Sequence, residues 1–318
     1  MKSVVCMPAN AKRVIRAALV LVCAAAMLAA VGGQALAKSS ASKKPTAGSK
    51  SKITPTTPIT KGSTYLALGD SVTFGYEESA VVPAPNYADA ASFLGYPEIY
   101  GSELHMKVVN AACPGETSSS LVDNTAQSNG CENTPGEGNV GYRTLHPLHV
   151  SYSGSQLAFA VSYLKKHQNV RLVSLMIGSN DGLICQETTA DNCTSLVEQA
   201  AVLETVAKNV HTIVSEIRTK AHYNGQLAIV NYYSPLASDN ATIPLLNGAI
   251  DSAAKPFHVE VADGFGAFET AAAHSGGNVC TAGLLTQLVG ASTPCGIHPS
   301  YAGASLLALA LEKVTRFQ

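Results

Sequence analysis

The chain of 318 residues has a formal net charge of −1, and only 14% of its residues are charged. This near-neutral balance offers no basic face for nucleic acid and speaks against that class of partner. The absence of tryptophan and the aromatic content of 6% also disfavour a carbohydrate site lined with stacking rings, although the 12 tyrosines weaken that argument.

Residues 1–37 have the pattern of a secretory signal peptide. Its basic start, Lys12, Arg13 and Arg16, precedes an apolar core over residues 17–31, and Ala-Leu-Ala at 35–37 is a small-residue cleavage site. The core is shorter than the roughly 20 residues that a membrane span requires. We therefore expect cleavage, no stable membrane span afterwards, and a secreted protein; an uncleaved anchor is the alternative.

Residues 38–60 are rich in serine, threonine, lysine and proline and poor in apolar groups. Such a segment cannot bury enough surface to offset its chain entropy, so we expect a disordered linker. Its basic charge could contact an anionic envelope surface, and a plain spacer is the simpler role. The remaining residues, 61–318, suit one large α/β domain.

Six cysteines follow the signal segment, and an even number in an exported chain indicates disulfides, with 15 possible connectivities. They fall into three local pairs within loop-like stretches, and we predict these pairings: Cys113–Cys131, Cys185–Cys193 and Cys280–Cys295. A metal site would need tighter cysteine and histidine spacing. The pairs are expected to hold long loops around a site.

Short apolar runs alternate with helical patterns along the domain. The predicted strands are 64–68, 106–111, 170–177, 226–231 and 259–262. The predicted helices are 155–167, 195–222, 245–254 and 300–317, with partial helix over 86–105. This alternation predicts a parallel sheet with helices on both faces and right-handed crossovers.

Turn-forming residues follow three of these strands, and parallel strands bring such turns to one edge of the sheet. Ser71, Gly115 and Asn180 lie in these turns, and His298 precedes the last helix. Acyl transfer needs a nucleophile, a base within reach and donors for the oxyanion, and these residue types supply them. Taken alone, Ser71 with Asp70 could equally well cap a helix.

In order and context, these blocks resemble those of the SGNH, or GDSL, hydrolases from residue 64 to about 309. The blocks are Gly69-Asp70-Ser71, Gly115 within residues 110–118, Gly178-Ser179-Asn180-Asp181 and His298-Pro299. The three local cysteine pairs also resemble those of secreted bacterial lipases and esterases of this family.

The resemblance implies a three-layer α/β/α sandwich with a five-stranded parallel sheet in flavodoxin-like order. It also implies Ser71 as nucleophile, His298 as base, and an oxyanion hole from the Ser71 amide, the Gly115 amide and the Asn180 side chain, with no cofactor or metal. Asp70 and Asp181 are expected to order their loops.

This sequence departs from the family at Cys295, where an acid often stands three residues before the histidine. We therefore predict a Ser71–His298 dyad, with His298 Nδ1 bonded to a backbone carbonyl in segment 292–295. Asp263 is a second candidate acceptor, although a solvated or capping role suits it better. His146 and His149 are expected to be surface or packing residues, because no third metal ligand is placed near them.

The expected activity is extracellular hydrolysis of carboxylic esters through an acyl-enzyme, with a small-molecule, lipid or acetylated-glycan ester as substrate. The alternative within enzymes is O-acetyl esterase activity on a polysaccharide or cell-wall glycan. The alternative from another class is a catalytically weak extracellular binding protein on the same fold, which the missing acid suggests.

Overall fold

Five parallel strands form the centre of the computed structural model, which describes residues 57–138 and 140–318. The strands are β1 (Thr64–Gly69), β2 (Lys107–Asn110), β3 (Val170–Met176), β4 (Gln226–Val230) and β5 (Glu260–Ala262). They lie in the order β2-β1-β3-β4-β5, and every neighbouring pair is parallel. This is the flavodoxin-like order, so the predicted fold is confirmed.

The central strands are apolar along their whole length because both faces of the sheet are covered. Every residue of β1 and of β4 is buried. In the register, Leu66 of β1 lies between Val109 of β2 and Val173 of β3. The core therefore runs across the middle of the sheet and leaves the strand ends for the loops.

Ten helices surround this sheet in the described part of the chain. They are α1 (Ser71–Phe74), α2 (Tyr96–Glu103), α3 (Ser118–Val122), α4 (Tyr142–Leu145), α5 (Gln156–Lys166), α6 (Ser179–Thr188), α7 (Leu196–Thr219), α8 (Ile243–Ala254), α9 (Gly264–Ala272) and α10 (Tyr301–Glu312). Short 3₁₀ turns lie at Ala90–Ser92, Ala237–Ala241, Lys255–Phe257 and Ala273–Ser275.

The helices pack in two groups, which gives the three layers. Helices α2, α9 and α10 form one group, and α3, α5, α6, α7 and α8 form the other. The sequence did not predict a small antiparallel pair, β6 (Leu285–Gln287) and β7 (Cys295–Pro299), that lies before α10.

The two ends of the described chain meet, and this changes two predicted boundaries. Ile59 is completely buried and forms a parallel bridge with Phe317; its N–H donates to Arg316 O at 2.8 Å, and its carbonyl accepts from Gln318 N at 2.9 Å. The last residues of the predicted linker thus pack on the domain. The predicted helix to residue 317 is wrong, because residues 316–318 bond to Ile59 instead.

All three predicted disulfides are present. Cys113–Cys131 closes the segment after β2, Cys185–Cys193 joins α6 to the loop before α7, and Cys280–Cys295 anchors β7. The predicted signal peptide and residues 38–56 of the predicted linker lie outside the described residues. Within residues 57–138 and 140–318, no helix is both long and apolar enough to cross a bilayer.

Replacing the buried Ile59 by alanine should destabilise the domain. The change Ile59→Ala removes three carbons from a completely buried side chain, so we expect a loss of about 2 to 5 kcal/mol in the free energy of unfolding. Denaturant unfolding followed by circular dichroism measures it. Val289→Ala is the control, since that side chain is 65% exposed; equal stability of the two variants would contradict a structural role for residue 59.

Candidate active site

The turn between β1 and α1 presents Ser71 at the carboxyl edge of the sheet. Gly69 has a φ of 150°, and a Cβ there would overlap the carbonyl oxygen of Met176, so the turn requires glycine. Asp70 caps α1 by accepting the N–H of Val72 at 3.0 Å. The short helix that follows leaves the Ser71 side chain partly exposed.

Asp70 is completely buried, and its carboxyl group ties this turn to two other strand ends. Its Oδ2 accepts the hydroxyl of Tyr232 at 2.5 Å, after β4, and the hydroxyl of Ser179 at 3.2 Å, after β3. Burial raises the pKa of Asp70, and the hydrogen bond from Tyr232 opposes this shift. Asp70 therefore orders the nucleophile turn, as the sequence suggested.

His298 lies on β7, and its Nε2 is 2.9 Å from the Oγ of Ser71. The structure thus brings the two predicted residues into hydrogen-bond contact across 227 positions of sequence. The other ring nitrogen, Nδ1, lies 2.8 Å from Oε1 of Glu78. A carboxylate at Nδ1 requires the proton on that nitrogen, which leaves Nε2 free to accept the proton of Ser71.

Glu78 corrects the predicted acceptor for His298. The prediction of a dyad that uses a backbone carbonyl in segment 292–295 is wrong, because the Nδ1 partner is a side-chain carboxylate. The alternative candidate, Asp263, instead caps α9 by accepting the N–H of Gly266 at 2.9 Å. The sequence did contain one signal: Glu77 and Glu78 are the only charged residues between positions 71 and 88.

Glu78 reaches the histidine because the β6–β7 pair is shaped to receive its carboxyl group. Its Oε1 also accepts the N–H of Ile297 at 3.1 Å, and its Oε2 accepts the hydroxyl of Thr286 at 2.6 Å. A Cβ at Gly296 would overlap Oε1 of Glu78, so only glycine leaves room for this carboxyl group. The loop is held further by the N–H of Val289, which donates to Ala80 O at 2.9 Å.

Opposing effects set the charge of Glu78. Burial alone would raise the pKa of its carboxyl group, but the hydrogen bond and charge of His298, with the hydroxyl of Thr286, lower this pKa to about 2. Glu78 is therefore ionised over the whole neutral and mildly acidic range. An ionised acid at Nδ1 can orient the imidazole and stabilise its protonated form.

The predicted oxyanion donors lie on two adjacent loops. Gly115 has a φ of 81°, its carbonyl accepts the N–H of Asn129 at 2.7 Å, and a Cβ would overlap the Asn129 backbone. Asn180, in the first turn of α6, donates from Nδ2 to Glu116 O at 2.9 Å, and its Oδ1 accepts from Asn129 Nδ2 at 3.2 Å. The side chain of Asn129 thus joins the two loops.

Two features leave hydrogen-bond donors available at this place. Within the described part of the chain, the backbone N–H groups of Ser71 and Gly115 have no protein acceptor. The amide nitrogen of Asn180 carries two N–H groups, of which the bond to Glu116 uses one. The loops are joined to the nucleophile turn by the N–H of Cys113, which donates to Gly69 O at 3.2 Å.

Gln156, which the sequence gave no reason to select, links the nucleophile turn at Gly69 to the glycine loop at Glu116. Its Oε1 accepts the N–H of Gly69 at 2.6 Å, and its Nε2 donates at 3.0 Å both to Gly69 O and to Glu116 Oε2. Glu116 is completely buried, and burial together with the charge of Glu132 raises its pKa well above the usual range. One glutamine thereby fixes the distance between the nucleophile turn and the glycine loop.

The remaining residues noted in the sequence have structural contacts. Asp181 accepts the N–H and the hydroxyl of Ser118 at 2.8 and 2.6 Å, which orders the start of α3, and burial raises its pKa to about 6. His149 Nε2 bonds to Phe74 O at 3.0 Å, and His146 packs on aromatic rings.

Among the described residues, two groups of side chains lie close enough together to share a metal ion. They are Cys113, Glu116 and Cys131, and Cys185, Cys193 and Glu198. Each group includes a disulfide-bonded cysteine pair, so its sulfurs are not thiolates.

The chain also matches a known protein family in sequence and known proteins in fold. A sequence model described as the GDSL-like lipase/acylhydrolase family matches residues 67–306. Phospholipase A1 from Streptomyces albidoflavus NA297 is similar in structure, with a TM-score of 0.50 and 18% identity, over 80% of this chain and 100% of that one. The lipase Lip_vut3 from a goat rumen metagenome has a TM-score of 0.50 and 15% identity, over 80% and 98%. These two likenesses show a shared fold. No curated protein sequence matches the chain.

The lowered pKa of Glu78 predicts a pH-dependent contribution to stability. Because the folded protein favours the ionised carboxyl group, the stabilisation is present above about pH 4.5 and is lost as the pH falls to about 2. Glu78→Gln should therefore lower the free energy of unfolding by up to roughly 3 kcal/mol near neutral pH. Denaturant unfolding of both proteins from pH 7 to pH 2 measures the difference, which should close on acidification.

The control for this series is Glu103→Gln, which removes an exposed carboxylate from α2. Its difference from wild type should be small at every pH. A difference for Glu78→Gln that stays constant down to pH 2 would show that the carboxylate charge does not contribute.

Proposed function

The chain belongs to the GDSL-like lipase/acylhydrolase family and is a carboxylic ester hydrolase, and from this premise we propose that Ser71, His298 and Glu78 carry out the hydrolysis as a triad. The observation that best supports the triad is an unbroken series of two contacts. Ser71 Oγ lies 2.9 Å from His298 Nε2, and His298 Nδ1 lies 2.8 Å from Glu78 Oε1. These are hydrogen-bond distances for a nucleophile, its base and the acid that orients the base.

In the proposed acylation step, Ser71 Oγ attacks the ester carbon and transfers its proton to His298 Nε2. The Glu78 carboxylate stabilises the imidazolium that forms. The carbonyl oxygen becomes an oxyanion, which accepts hydrogen bonds from the backbone N–H of Ser71, the backbone N–H of Gly115 and the Asn180 side chain. Removing one such donor typically costs about 100- to 1,000-fold in kcat.

Collapse of the tetrahedral intermediate completes the first half of the reaction. His298 returns the proton to the alcohol oxygen, the alcohol leaves, and the acyl group remains on Ser71. A water molecule activated by His298 then attacks the acyl-enzyme and releases the acid. The side chains and backbone groups of this chain are sufficient for every step.

We further propose that the enzyme acts outside the cytoplasm. Three disulfides in one domain are typical of proteins that fold in an oxidising compartment. The signal-peptide pattern of residues 1–37 and the basic linker support the same proposal. The alternative of a weakly catalytic binding protein relied on a missing acid, and Glu78 removes that reason.

The primary test is hydrolysis of p-nitrophenyl esters from acetate to palmitate by wild type and Ser71→Ala. Loss of the nucleophile should lower kcat by at least about 10⁴-fold. Ser102→Ala, on the exposed side of α2, is the matched control and should keep full activity. Activity that survives in Ser71→Ala would contradict the mechanism. Release of acetate from acetylated glycan, without activity on any p-nitrophenyl ester, would favour the glycan esterase.

A second test concerns the acid. Glu78→Gln removes the charge that stabilises the imidazolium, so kcat should fall about 10²- to 10⁴-fold while KM changes little. Gly296→Ala should have a similar effect because the new methyl group displaces Glu78.

The double variant of Glu78→Gln and Gly296→Ala makes this test specific. If both changes act through the same carboxyl group, the double variant should be no slower than the worse single variant. Losses that multiply would show that Gly296 acts independently of Glu78. Glu103→Gln again serves as the control for loss of a carboxylate.

A further inference from the structure

Tyr76 is placed directly beside the candidate catalytic histidine. Its backbone N–H donates to Ser71 O at 2.9 Å, so the turn that carries the nucleophile also positions this residue. The centroid of its ring lies 4.9 Å from that of the His298 imidazole, and the two planes meet at 63°. The Tyr76 side chain is half-buried, so part of it remains accessible to a ligand.

Other aromatic side chains support the Tyr76 ring from behind. Phe93 lies parallel to it with centroids 6.0 Å apart, and Tyr142 meets it edge-on at 6.0 Å; both side chains are at least nine-tenths buried. Tyr87 packs at 5.8 Å; its hydroxyl donates to Glu77 O at 2.7 Å and lies 3.3 Å from Tyr76 Oη. The ring is therefore held at a fixed position relative to His298.

The proposed triad mechanism indicates which part of the substrate lies near Tyr76. His298 Nε2 returns its proton to the alcohol oxygen, so the leaving alcohol must lie against the imidazole when the ester bond breaks. A rigid aromatic ring whose centroid lies 4.9 Å from that of the same imidazole is therefore close to the position that the alcohol must occupy. Glu77, next in the chain and half-buried, has a carboxyl group close enough to interact electrostatically with His298, and a negative charge there disfavours anionic alcohols.

We propose that Tyr76 forms the leaving-group subsite and selects esters of uncharged aromatic alcohols. This inference rests on the proposed triad and specifies the substrate class of the same site. An aromatic ring in the alcohol would pack edge-to-face or offset against Tyr76, a geometry that a saturated ring of equal size cannot use.

The test compares benzyl acetate with cyclohexylmethyl acetate, which share their acyl group and differ in the aromaticity of the alcohol. Both form the same acetyl-enzyme, so discrimination occurs in kcat/KM and not in deacylation. Wild type should prefer benzyl acetate by roughly 3- to 10-fold. Tyr76→Leu should bring the ratio close to one, and Tyr76→Phe, which keeps the ring, should preserve it.

The other outcomes each count against the proposal. Equal rates in wild type, or a preference that survives in Tyr76→Leu, would overturn the role of Tyr76 and leave the triad intact. A preference for the cyclohexyl ester that depends on Tyr76 would assign the subsite to a saturated ring. Failure of wild type on both esters, with no fluorophosphonate labelling of Ser71, would overturn the triad and this inference together; labelling of Tyr76→Leu at the wild-type rate shows that the variant is folded.

Discussion

The hydrogen bond between Glu78 and His298 joins two segments that are 220 positions apart in the sequence. It depends on a carboxyl group that is largely withdrawn from water and is nevertheless ionised. Burial opposes that state, while the imidazole, the N–H of Ile297 and the hydroxyl of Thr286 favour it. Because these donors converge on one carboxyl group, the loop after α1 and the β6–β7 pair are fixed relative to each other. The histidine is thereby aligned with the nucleophile turn.

The parallel sheet brings the other loops of the site together. Its parallel strands end at one edge, which brings the turns after β1, β2 and β3 together although they are distant in sequence. Segments approach so closely around the site that they leave no space for a Cβ at certain positions. Gly69, Gly115 and Gly296 are such positions, since a Cβ at each would overlap backbone or the Glu78 carboxyl group. These glycines are as necessary to the site as the side chains that react.

The sequence predicted the features that local pattern determines: buried apolar strands, turn residues at their ends, and cysteines paired with near neighbours. The sequence did not predict features that depend on contacts between residues far apart in the chain. The family pattern offers an acid only three residues before His298, where Cys295 stands, so the sequence pointed to a backbone carbonyl; no local pattern ties position 78 to position 298. The predicted last helix includes residues 313–317, since their composition gives no hint that the end of the chain bonds to Ile59. In both cases the interaction joins segments that meet only in the folded chain, so the local sequence does not reveal it.

The placement of the cysteines separates assembly of the fold from assembly of the site. None of the six lies in the five-stranded sheet, and two of the three disulfides flank the site, one at the glycine loop and one at the strand that carries His298. In a reducing compartment the apolar strands could still pair, while the loops around Ser71 would lack their covalent restraints. Oxidation of the cysteines would then be a maturation step, and a newly made chain would acquire its full hydrolytic capacity only where disulfides form.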